Sequence, residues 1–525
     1  MNKKSLIKFI KPSKNGLLLF ILGLSSVFLF APFYLFFLGF FILPIFALIL
    51  FRSKSLIVFY HYSFYFFFGF YFSNFYWISF SFLTNQNYLY FFPLVFFLIP
   101  ILLALSSLLL ITLLPYIKFK YKLNLAEFYF FFCFFYFLHE ILRSNIILFV
   151  DLQGLPWNLL GYSFFNYPAL VQSASIYGVY GLTLIAIYLF TLPLLINQLK
   201  KFKYFILATL LIIPFFIILT YYGNYHMSKK LAPKNSKLQI SIIHSNIAKH
   251  HGFNQNIIKE NIDKIISNIN DSGKSNLAIF AEGIVPQVTS ENYNPVFDYI
   301  IEHTAHKYDN LIISSPRAKL AGEYKFYNSM FLINNQKKIK QYYDKINLVP
   351  FGEYNPFFRS IPSLASQSGF SEGNKTKSLL NITNEVAAIP LICYDGIFSG
   401  SFSQDGDFLL NITNDIWFTK KFSSFNLSVA PWQHFDLIRM RAIEEGKPLI
   451  RVANYGISAA TDSFGRILTK ITHNDFDKVL QIELPQKLAK ASIFNQYRNL
   501  PIYLLALTII LILALYLIQI KKTRL

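Results

Sequence analysis

Charge is what this sequence has least of. Asp, Glu, Lys and Arg make up 14% of its 525 residues, where a soluble globular chain carries about a quarter. That shortfall excludes an ordinary water-facing surface over much of the chain. Cysteine is nearly absent: Cys133 and Cys393 are the only two. They lie far apart in sequence and environment, so a disulfide framework is excluded. No His-Glu-x-x-His or Cys-x-x-Cys pattern occurs, and His250 and His251 are merely adjacent. A zinc site is therefore not expected. Gly273-Lys274-Ser275 has the ending of a phosphate-binding loop, but Asn268 stands where the earlier glycine is required. No metal and no cofactor is expected, and no short internal repeat is visible.

What is present is apolar. Hydrophobic residues reach 54% and aromatics 19%, with 60 Phe and 34 Tyr, and the mean hydropathy is +0.42. The net charge of +21 could suit nucleic acid. However, many of the lysines sit in short segments between apolar runs, which is the pattern of a membrane protein, and no nucleic-acid partner is expected. A spanning helix needs roughly 20 apolar residues. Seven candidates precede residue 222, at 16–30, 33–51, 56–82, 88–116, 126–150, 168–196 and 204–221, and an eighth lies at 500–520. The basic N-terminal tail and first apolar run have the look of a signal peptide. The run is long, a second follows almost at once and no small-residue cleavage site closes it, so it reads as a retained first span.

The loops test this count, because short cytoplasmic loops are rich in Lys and Arg. The N-terminal tail holds Lys3, Lys4, Lys8, Lys11 and Lys14, and the loop at Ala31-Pro32 holds none. Arg52 and Lys54 follow, then the uncharged 84–87. Lys118, Lys120 and Lys122 precede a loop at 151–167 without Lys or Arg. Lys200, Lys201 and Lys203 come next, and Lys521, Lys522 and Arg524 close the chain. Basic and non-basic loops alternate without a break. The pattern predicts eight spans with both termini in the cytoplasm, and residues 222–497 outside between spans seven and eight.

Residues 222–497 read differently. Short β-like runs occur at 238–244, 277–281, 311–315, 329–333, 387–393, 408–413, 449–454 and 479–484. Helix-like stretches lie at 256–269, 295–307 and 432–445. Strands alternating with helices predict a layered α/β domain, and roughly 275 residues suffice to bury a core. The domains expected are thus a seven-helix membrane domain over 1–221, an outer domain over 222–497, and an eighth span with a basic tail over 498–525.

Three polar residues mark strand-like runs in the outer domain. Glu282 ends Leu277-Ala-Ile-Phe-Ala-Glu, Cys393 ends Ala388-Ile-Pro-Leu-Ile-Cys, and Lys345 follows Tyr342-Tyr-Asp. Strand ends are rigid places to hold reacting groups. A thiol, a carboxylate and an ammonium suit nucleophilic acyl transfer. The thiolate attacks, the carboxylate moves the proton and the ammonium meets the oxyanion. Taken singly, each has a plainer reading: Cys393 as inert core, Glu282 as one half of a structural ion pair, Lys345 as a solvated lysine. Glu140 and Arg143, at i and i+3 on span five, read either as a functional charge pair or as a mutually satisfied pair tying helices together.

Several segments together resemble one family. Residues 342–356 read YYDKINLVPFGEYNP, 391–395 read LICYD, 411–418 read NITNDIWF, 431–446 read PWQHFDLIRMRAIEEG and 448–456 read PLIRVANYG. In the membrane half stand Phe30-Ala-Pro-Phe, Glu140 with Arg143, Leu155-Pro-Trp-Asn and Gly161-Tyr162. This order of motifs resembles the apolipoprotein N-acyltransferases, a membrane branch of the nitrilase superfamily, over nearly the whole chain. The resemblance implies eight transmembrane helices plus an extracytoplasmic nitrilase-like αββα sandwich. It implies Glu282 as general base, Lys345 as oxyanion stabiliser and Cys393 as nucleophile. Glu353, Tyr394 and Asp395 would support them. Asn414, Trp417, Phe418, Arg143 and Trp157 would contact substrate, with ordinary aromatic packing as the plainer reading of Trp417 and Phe418. Two departures stand out: the family usually has Glu where this chain has Asp395, and commonly Trp-Pro where Phe280-Ala281 precede Glu282.

The function so implied is two-step acyl transfer at a bacterial inner membrane, with the catalytic domain in the periplasm. Cys393 takes an acyl chain from a membrane phospholipid, phosphatidylethanolamine by resemblance. It passes the chain to the N-terminal amine of a diacylated apolipoprotein. A membrane-tethered carbon–nitrogen hydrolase (amidase) would use the same three residues and give the thioester to water. A scaffold would keep the fold and have no use for Glu282, Lys345 or Cys393.

Overall fold

The computed structural model describes residues 13–84, 86–147, 152–196, 202–233, 237–247, 255–290, 293–321, 323–355, 369–376, 378–401, 403, 405–419, 421–422, 425–426, 428–472, 475 and 478–524. The chain divides into two compact units. One comprises Met1–Phe149, Gly154–Met227 and Tyr497–Leu525; the other comprises Val150–Gln153 and Ser228–Gln496.

The first unit is helical. α1 (Lys14–Ser25) starts on Ser13, whose hydroxyl accepts the Gly16 N–H at 3.1 Å. α2 (Gly39–Phe51) and α3 (Leu56–Phe75) follow, the latter capped by Ser55. Side-chain oxygens at these positions take up N–H groups that the helix cannot satisfy itself. α4 (Phe92–Leu110) and α5 (Leu113–Tyr121) are separate, so the expected run 88–116 breaks at Ile111-Thr112. α6 (Leu125–Asn145) opens on a reciprocal cap. The Glu127 N–H donates to Asn124 at 3.0 Å, and the Asn124 N–H donates to Glu127 at 2.7 Å. α7 (Ala174–Thr191) is kinked at Gly178, where φ is 68°. Expected run 168–196 is therefore a short helix at Pro168–Val171 and a kinked one, not a single rod. A long, mostly apolar run reads as one span and does not reveal such breaks.

α8 (Phe202–Met227) and the C-terminal helix Leu500–Arg524 complete the unit. Among the described residues, five stretches are long and apolar enough to cross a membrane: Leu56–Leu83, Leu89–Leu109, Leu125–Asn145, Ala174–Leu195 and Leu500–Gln519. Shorter apolar helices lie at Lys14–Leu29 and Phe36–Phe51. The expected run 204–221 falls within α8. Lys3, Lys4, Lys8 and Lys11, Lys200 and Lys201, and the 148–150 end of span five lie outside the described residues.

α1 and α3 meet at bare backbone. A Cβ on Gly23 would stand 2.2 Å from the Phe66 carbonyl oxygen, and one on Gly69 would stand 2.2 Å from that of Phe20. Small residues allow such approach where packing, not hydrophobicity, holds apolar helices together.

The second unit is built on two six-stranded sheets. The first has order β12-β1-β2-β3-β4-β5, with β1 Gln239–Ile243, β2 Ser275–Phe280, β3 Tyr308–Ala321, β4 Glu323–Asn334, β5 Ile339–Asp344 and β12 Val479–Glu483. The second has order β11-β10-β9-β8-β7-β6, with β6 Leu380–Asn381, β7 Ala387–Ile392, β8 Phe408–Asn414, β9 Leu449–Asn454, β10 Ser458–Thr461 and β11 Ile467–Ile471. Strands β1, β2 and β3 run parallel, as do β7, β8 and β9, with antiparallel strands outside them. All eight expected runs are strands. β5, β6, β10 and β11 were not anticipated: β5 is a polar, half-exposed edge, β11 a short and largely exposed edge, and β6 has two residues.

Leu277, Ala278, Ile279 and Phe280 are buried in succession, so β2 is covered on both faces. Both sheets and the helices α9 (Gln255–Asn270) and α10 (Pro295–Thr304) share one apolar core. In β10 successive residues part company: Ala460 joins that core, and Ala459 packs instead with Phe435 of α11 (Ala430–Glu445). Alternation along a strand puts α11 on the outer face of the second sheet, completing an αββα layering.

The helix crossing sets an expected outcome. Gly69→Leu must force α1 and α3 apart against backbone atoms, and overpacking costs about 1–3 kcal/mol or more. The purified variant should unfold at a lower temperature than wild type in detergent, and an unchanged melting curve would show that the crossing is not tight.

Candidate active site

The expected site residues come from separate parts of the second unit. Glu282 follows β2 by two positions, and the next residue, Gly283, turns the chain with φ 78°, a conformation glycine adopts without strain. Lys345 follows β5 directly and is 1% exposed. Its Nζ lies 2.8 Å from Glu353 Oε2 and 3.9 Å from Glu282 Oε1. At an effective dielectric of about 20 the gross attractions are about 6 and about 4 kcal/mol. Glu353 is thus the partner that holds the ammonium, leaving Glu282 the looser one.

Asn328 of β4 joins the two carboxylates, its Nδ2 donating to Glu282 Oε1 and to Glu353 Oε1, both at 2.8 Å. Sequence reasoning did not find Asn328. It lies on a strand whose 329–333 stretch alone reads as β-like, and a lone Asn carries no motif. The remaining Glu282 oxygen accepts the Asn414 N–H at 2.9 Å, and Glu353 Oε2 also accepts the Val349 N–H at 2.8 Å.

Burial pushes the Glu282 carboxyl above its ordinary range, and the Glu353 charge adds to this while Lys345 opposes it. Burial would by itself lower the Lys345 pKa, but Glu353 and Glu282 outweigh it and hold the ammonium charged. Burial raises the Cys393 thiol as well, aided by Glu282 and opposed by Lys345. The three groups therefore act on one another directly.

Cys393 directly follows β7 and begins a tight turn, Cys393–Ile397. Its φ is 48°, in the left-handed region that a residue with a side chain seldom occupies. Asp395 secures that turn from within. Its carboxylate accepts the Asn347 N–H at 2.7 Å, the Tyr343 O–H at 3.0 Å and the Ile392 N–H at 3.2 Å. It thereby ties the cysteine turn to the segment after Lys345. Tyr394 is half-buried and packs edge-on against Phe398.

Asn414 closes β8. Its backbone meets Glu282, while its side chain accepts from Ile416 and from Asn454 of β9. Trp417 and Phe418 lie half-buried in the turn Asp415–Phe418 that Asn414 caps. Asp415 itself is fully buried against Arg451 and His434.

Arg143 and Trp157 belong to the other unit. The Arg143 guanidinium meets Glu140 at 2.5 Å and donates to the carbonyls of Leu155, Trp157 and Asn158. Trp157 is 2% exposed and packs on Trp77. Both are enclosed, and Arg143 clamps residues 155–158. The Glu140–Arg143 pair is the mutually satisfied arrangement.

Gly369-Phe370-Ser371-Glu372-Gly373 spells the pattern of a serine-hydrolase elbow. It runs through irregular loop and not the strand-to-helix turn that the pattern requires. Among the described residues no cluster of His, Cys, Asp or Glu could hold a metal ion.

Two family profiles match this chain. One is described as the apolipoprotein N-acyltransferase N-terminal domain and covers residues 22–192; the other is carbon-nitrogen hydrolase and covers 257–493. The chain is 32% identical over 401 residues to an apolipoprotein N-acyltransferase of Rickettsia prowazekii, spanning 73% of this chain and 75% of that one. It is 30% identical over 367 residues to one of Brucella melitensis, spanning 64% and 63%. Among solved structures, a carbon-nitrogen hydrolase from Helicobacter pylori G27 covers 47% of this chain and 89% of its own length at 15% identity and a TM-score of 0.36. An amidase from Nesterenkonia sp. covers 52% and 98% at 16% identity and 0.37.

The Asp395 contacts give a pH-dependent expectation. Burial pushes this carboxyl up to about 6, against the pull of Lys345 and of its three donors, whereas an unfolded Asp titrates near about 3.9. A folded pKa above the unfolded one means stability that is full below about pH 4 and lost as pH rises through about 6. Asp395→Asn does not titrate. From pH 4 to 6.5, wild type should therefore lose ground to the variant in unfolding temperature, and a difference independent of pH would refute the shift.

Proposed function

This chain belongs to the apolipoprotein N-acyltransferase family, and on that premise we propose that Cys393 carries an acyl chain as a thioester between a membrane phospholipid and the free N-terminal amine of a diacylglyceryl-cysteine on an apolipoprotein. The convergence of Glu282, Lys345 and Cys393 from three strand ends into one buried cluster is the observation that carries this reading.

In the first half-reaction the Cys393 proton passes to Glu282 and the thiolate sulfur bonds to an ester carbonyl carbon of the phospholipid. Lys345 meets the oxyanion with its fixed positive charge. The carbonyl re-forms, the bond to the glycerol oxygen breaks, and Glu282 returns its proton to that oxygen, releasing a lysophospholipid. In the second half-reaction the amine nitrogen attacks the thioester carbon, Glu282 takes the amine proton and Lys345 again meets the oxyanion. The carbon–sulfur bond breaks, leaving an amide and a thiolate that regains its proton. A Glu282 with raised pKa suits both directions of transfer near neutral pH.

Glu353 and Asn328 hold Lys345 and Glu282 apart at their working positions. Asp395 fixes the cysteine turn, and Tyr394 shapes its side. Asn414 orients Glu282 through its backbone, and Trp417 and Phe418 are assigned to the substrate entrance. Phosphatidylethanolamine is proposed as the donor. The proposed topology follows the basic loops: 1–221 as seven spans, 222–497 as the periplasmic catalytic domain, 498–525 as the eighth span and tail, with both termini cytoplasmic. The bilayer then delivers both lipid substrates to one surface.

The test uses full-length protein in liposomes whose phospholipid carries a labelled acyl chain. Label that neutral hydroxylamine removes should appear on wild type and be absent from Cys393→Ala. Adding a diacylated lipopeptide with a free N-terminus should move the label to the peptide amine. Glu282→Gln and Lys345→Met should each slow transfer by at least about 100-fold. Release of label at one rate with or without peptide would favour the hydrolase, and label on Cys393→Ala would sink the thioester.

A further inference from the structure

Lys345 is held from behind as well as from the side of the catalytic cluster. It directly follows β5, and successive residues of a strand point to opposite faces. Tyr343 faces the cysteine turn, its O–H donating to Asp395 at 3.0 Å. Asp344 therefore points to the reverse face, where it meets residues that the mechanism above does not use.

Arg317 of β3 is buried and reaches the Asp344 carboxylate with two parallel bonds. Its Nε donates to Oδ1 at 3.0 Å and its Nη2 to Oδ2 at 2.6 Å. Ser329 of β4 donates to Oδ1 at 2.5 Å. The guanidinium carbon lies 4.4 Å from the centre of the Tyr342 ring and 4.7 Å from that of Tyr327. Arg317 pairs in register with Tyr327, and Ser329 with Asp344, so one ion pair ties β3, β4 and β5 together. A two-pronged arginine–carboxylate contact fixes angle as well as distance, and stacking on aromatic rings holds the guanidinium further.

The Lys345 backbone depends on the same strands. Its N–H donates to the Asn328 carbonyl at 2.8 Å, and its carbonyl accepts the Gly373 N–H at 2.8 Å. A Cβ on Gly373 would stand 2.2 Å from the Asp344 carbonyl oxygen, so that loop bears directly on the joint. Asn328 is also the residue whose amide bridges Glu282 and Glu353. A slip of β5 against β4 would thus move the ammonium relative to both carboxylates. Its distances to them, 2.8 Å and 3.9 Å, are what makes the sharing unequal. A displacement of about 1 Å would erase the difference, and misplacement on that scale can cost about 100-fold in rate.

We infer that Arg317 is a positioning residue for the proposed reaction: its fork on Asp344 fixes the end of β5 against β4 and so sets where the Lys345 ammonium meets the oxyanion. It touches no substrate and acts through Lys345 alone. The inference rests on Lys345 as the oxyanion stabiliser.

The test is a double-mutant cycle on full-length protein in liposomes whose phospholipid carries a labelled acyl chain. It reads the rate at which hydroxylamine-sensitive label appears on Cys393 at saturating donor, and the donor fraction in the bilayer that gives half that rate. Arg317→Gln should lower the saturating rate at least about tenfold and leave the half-saturating fraction where it is. Arg317→Lys keeps the charge and loses the fork, so it should fall with the glutamine variant and not with wild type. In a Lys345→Met background the added Arg317→Gln should change the rate by less than about twofold, because no ammonium remains to be misplaced. A residue with a general structural role would instead multiply the two losses. Multiplied losses, or Arg317→Gln at the wild-type rate, would overturn the inference. If the glutamine variant does not fold, Arg317→Lys takes its place in the cycle with the same outcomes. Lys345→Met at the wild-type rate would refute Lys345 as oxyanion stabiliser, a failure distinct from that of Arg317.

Discussion

The site depends on one buried cation shared unequally between two carboxylates. An ammonium as enclosed as that of Lys345 cannot be left alone, because desolvation of an isolated charge costs many kcal/mol. Two carboxylates answer it, and their distances differ by more than 1 Å. Equal sharing would pin Glu282 and take it out of proton transfer. Unequal sharing lets Glu353 bear the structural load and leaves Glu282 with a raised pKa next to a charge that does not leave. Such a cluster is poor as a source of stability, since apolar residues of like volume often do as well. Its value lies in the fixed placement of charge before substrate arrives.

The same logic recurs on the second sheet. Arg451 is 0% exposed and carries Asp415, His434 and Asn411 around it. One cluster approaches Cys393 from the first sheet through Glu282 and Lys345. The other lies on the second sheet around Asp415. Cys393 sits on a left-handed turn between them, held by Asp395. Cys393, the proposed nucleophile, is thus held through Asp395 by Tyr343 and Asn347 of the Lys345 segment and not by its own strand alone.

Much of this was legible in the sequence because it is written in short-range patterns. Leu277–Phe280 and Ala388–Ile392 are continuous apolar runs ended by a single polar residue, which is how a strand buried on both faces and finished by a reacting group reads. Lys345 and Glu353 share one motif. What escaped has no local signature. Asn328 matters only because β4 folds back on β3, which lies beside β2, and so brings its amide to Glu282. The kink at Gly178 is hidden in a run apolar enough to read as one span. Arg143 reads in the sequence only as a charge in an apolar helix, and the fold adds that the carbonyls of Leu155, Trp157 and Asn158 accept from it.

Burial also links the two demands of the proposed chemistry. A thioester that must wait for an amine has to be kept from water, and the enclosure that excludes water is the enclosure that raises Glu282 and Cys393. A thiol raised in this way is a weak nucleophile until its proton can leave, so an enclosed site without a base beside it would be inert. Glu282, raised by the same burial, is matched to receive that proton where an ordinary carboxylate would hold it too weakly. The two shifts have one cause and move together, so the burial that makes the thiol harder to ionise also makes its acceptor a stronger base. An amine acceptor fits this arrangement better than water does. Water would need to enter the enclosure unbidden, whereas a lipid-anchored amine is carried to it by its own acyl chains.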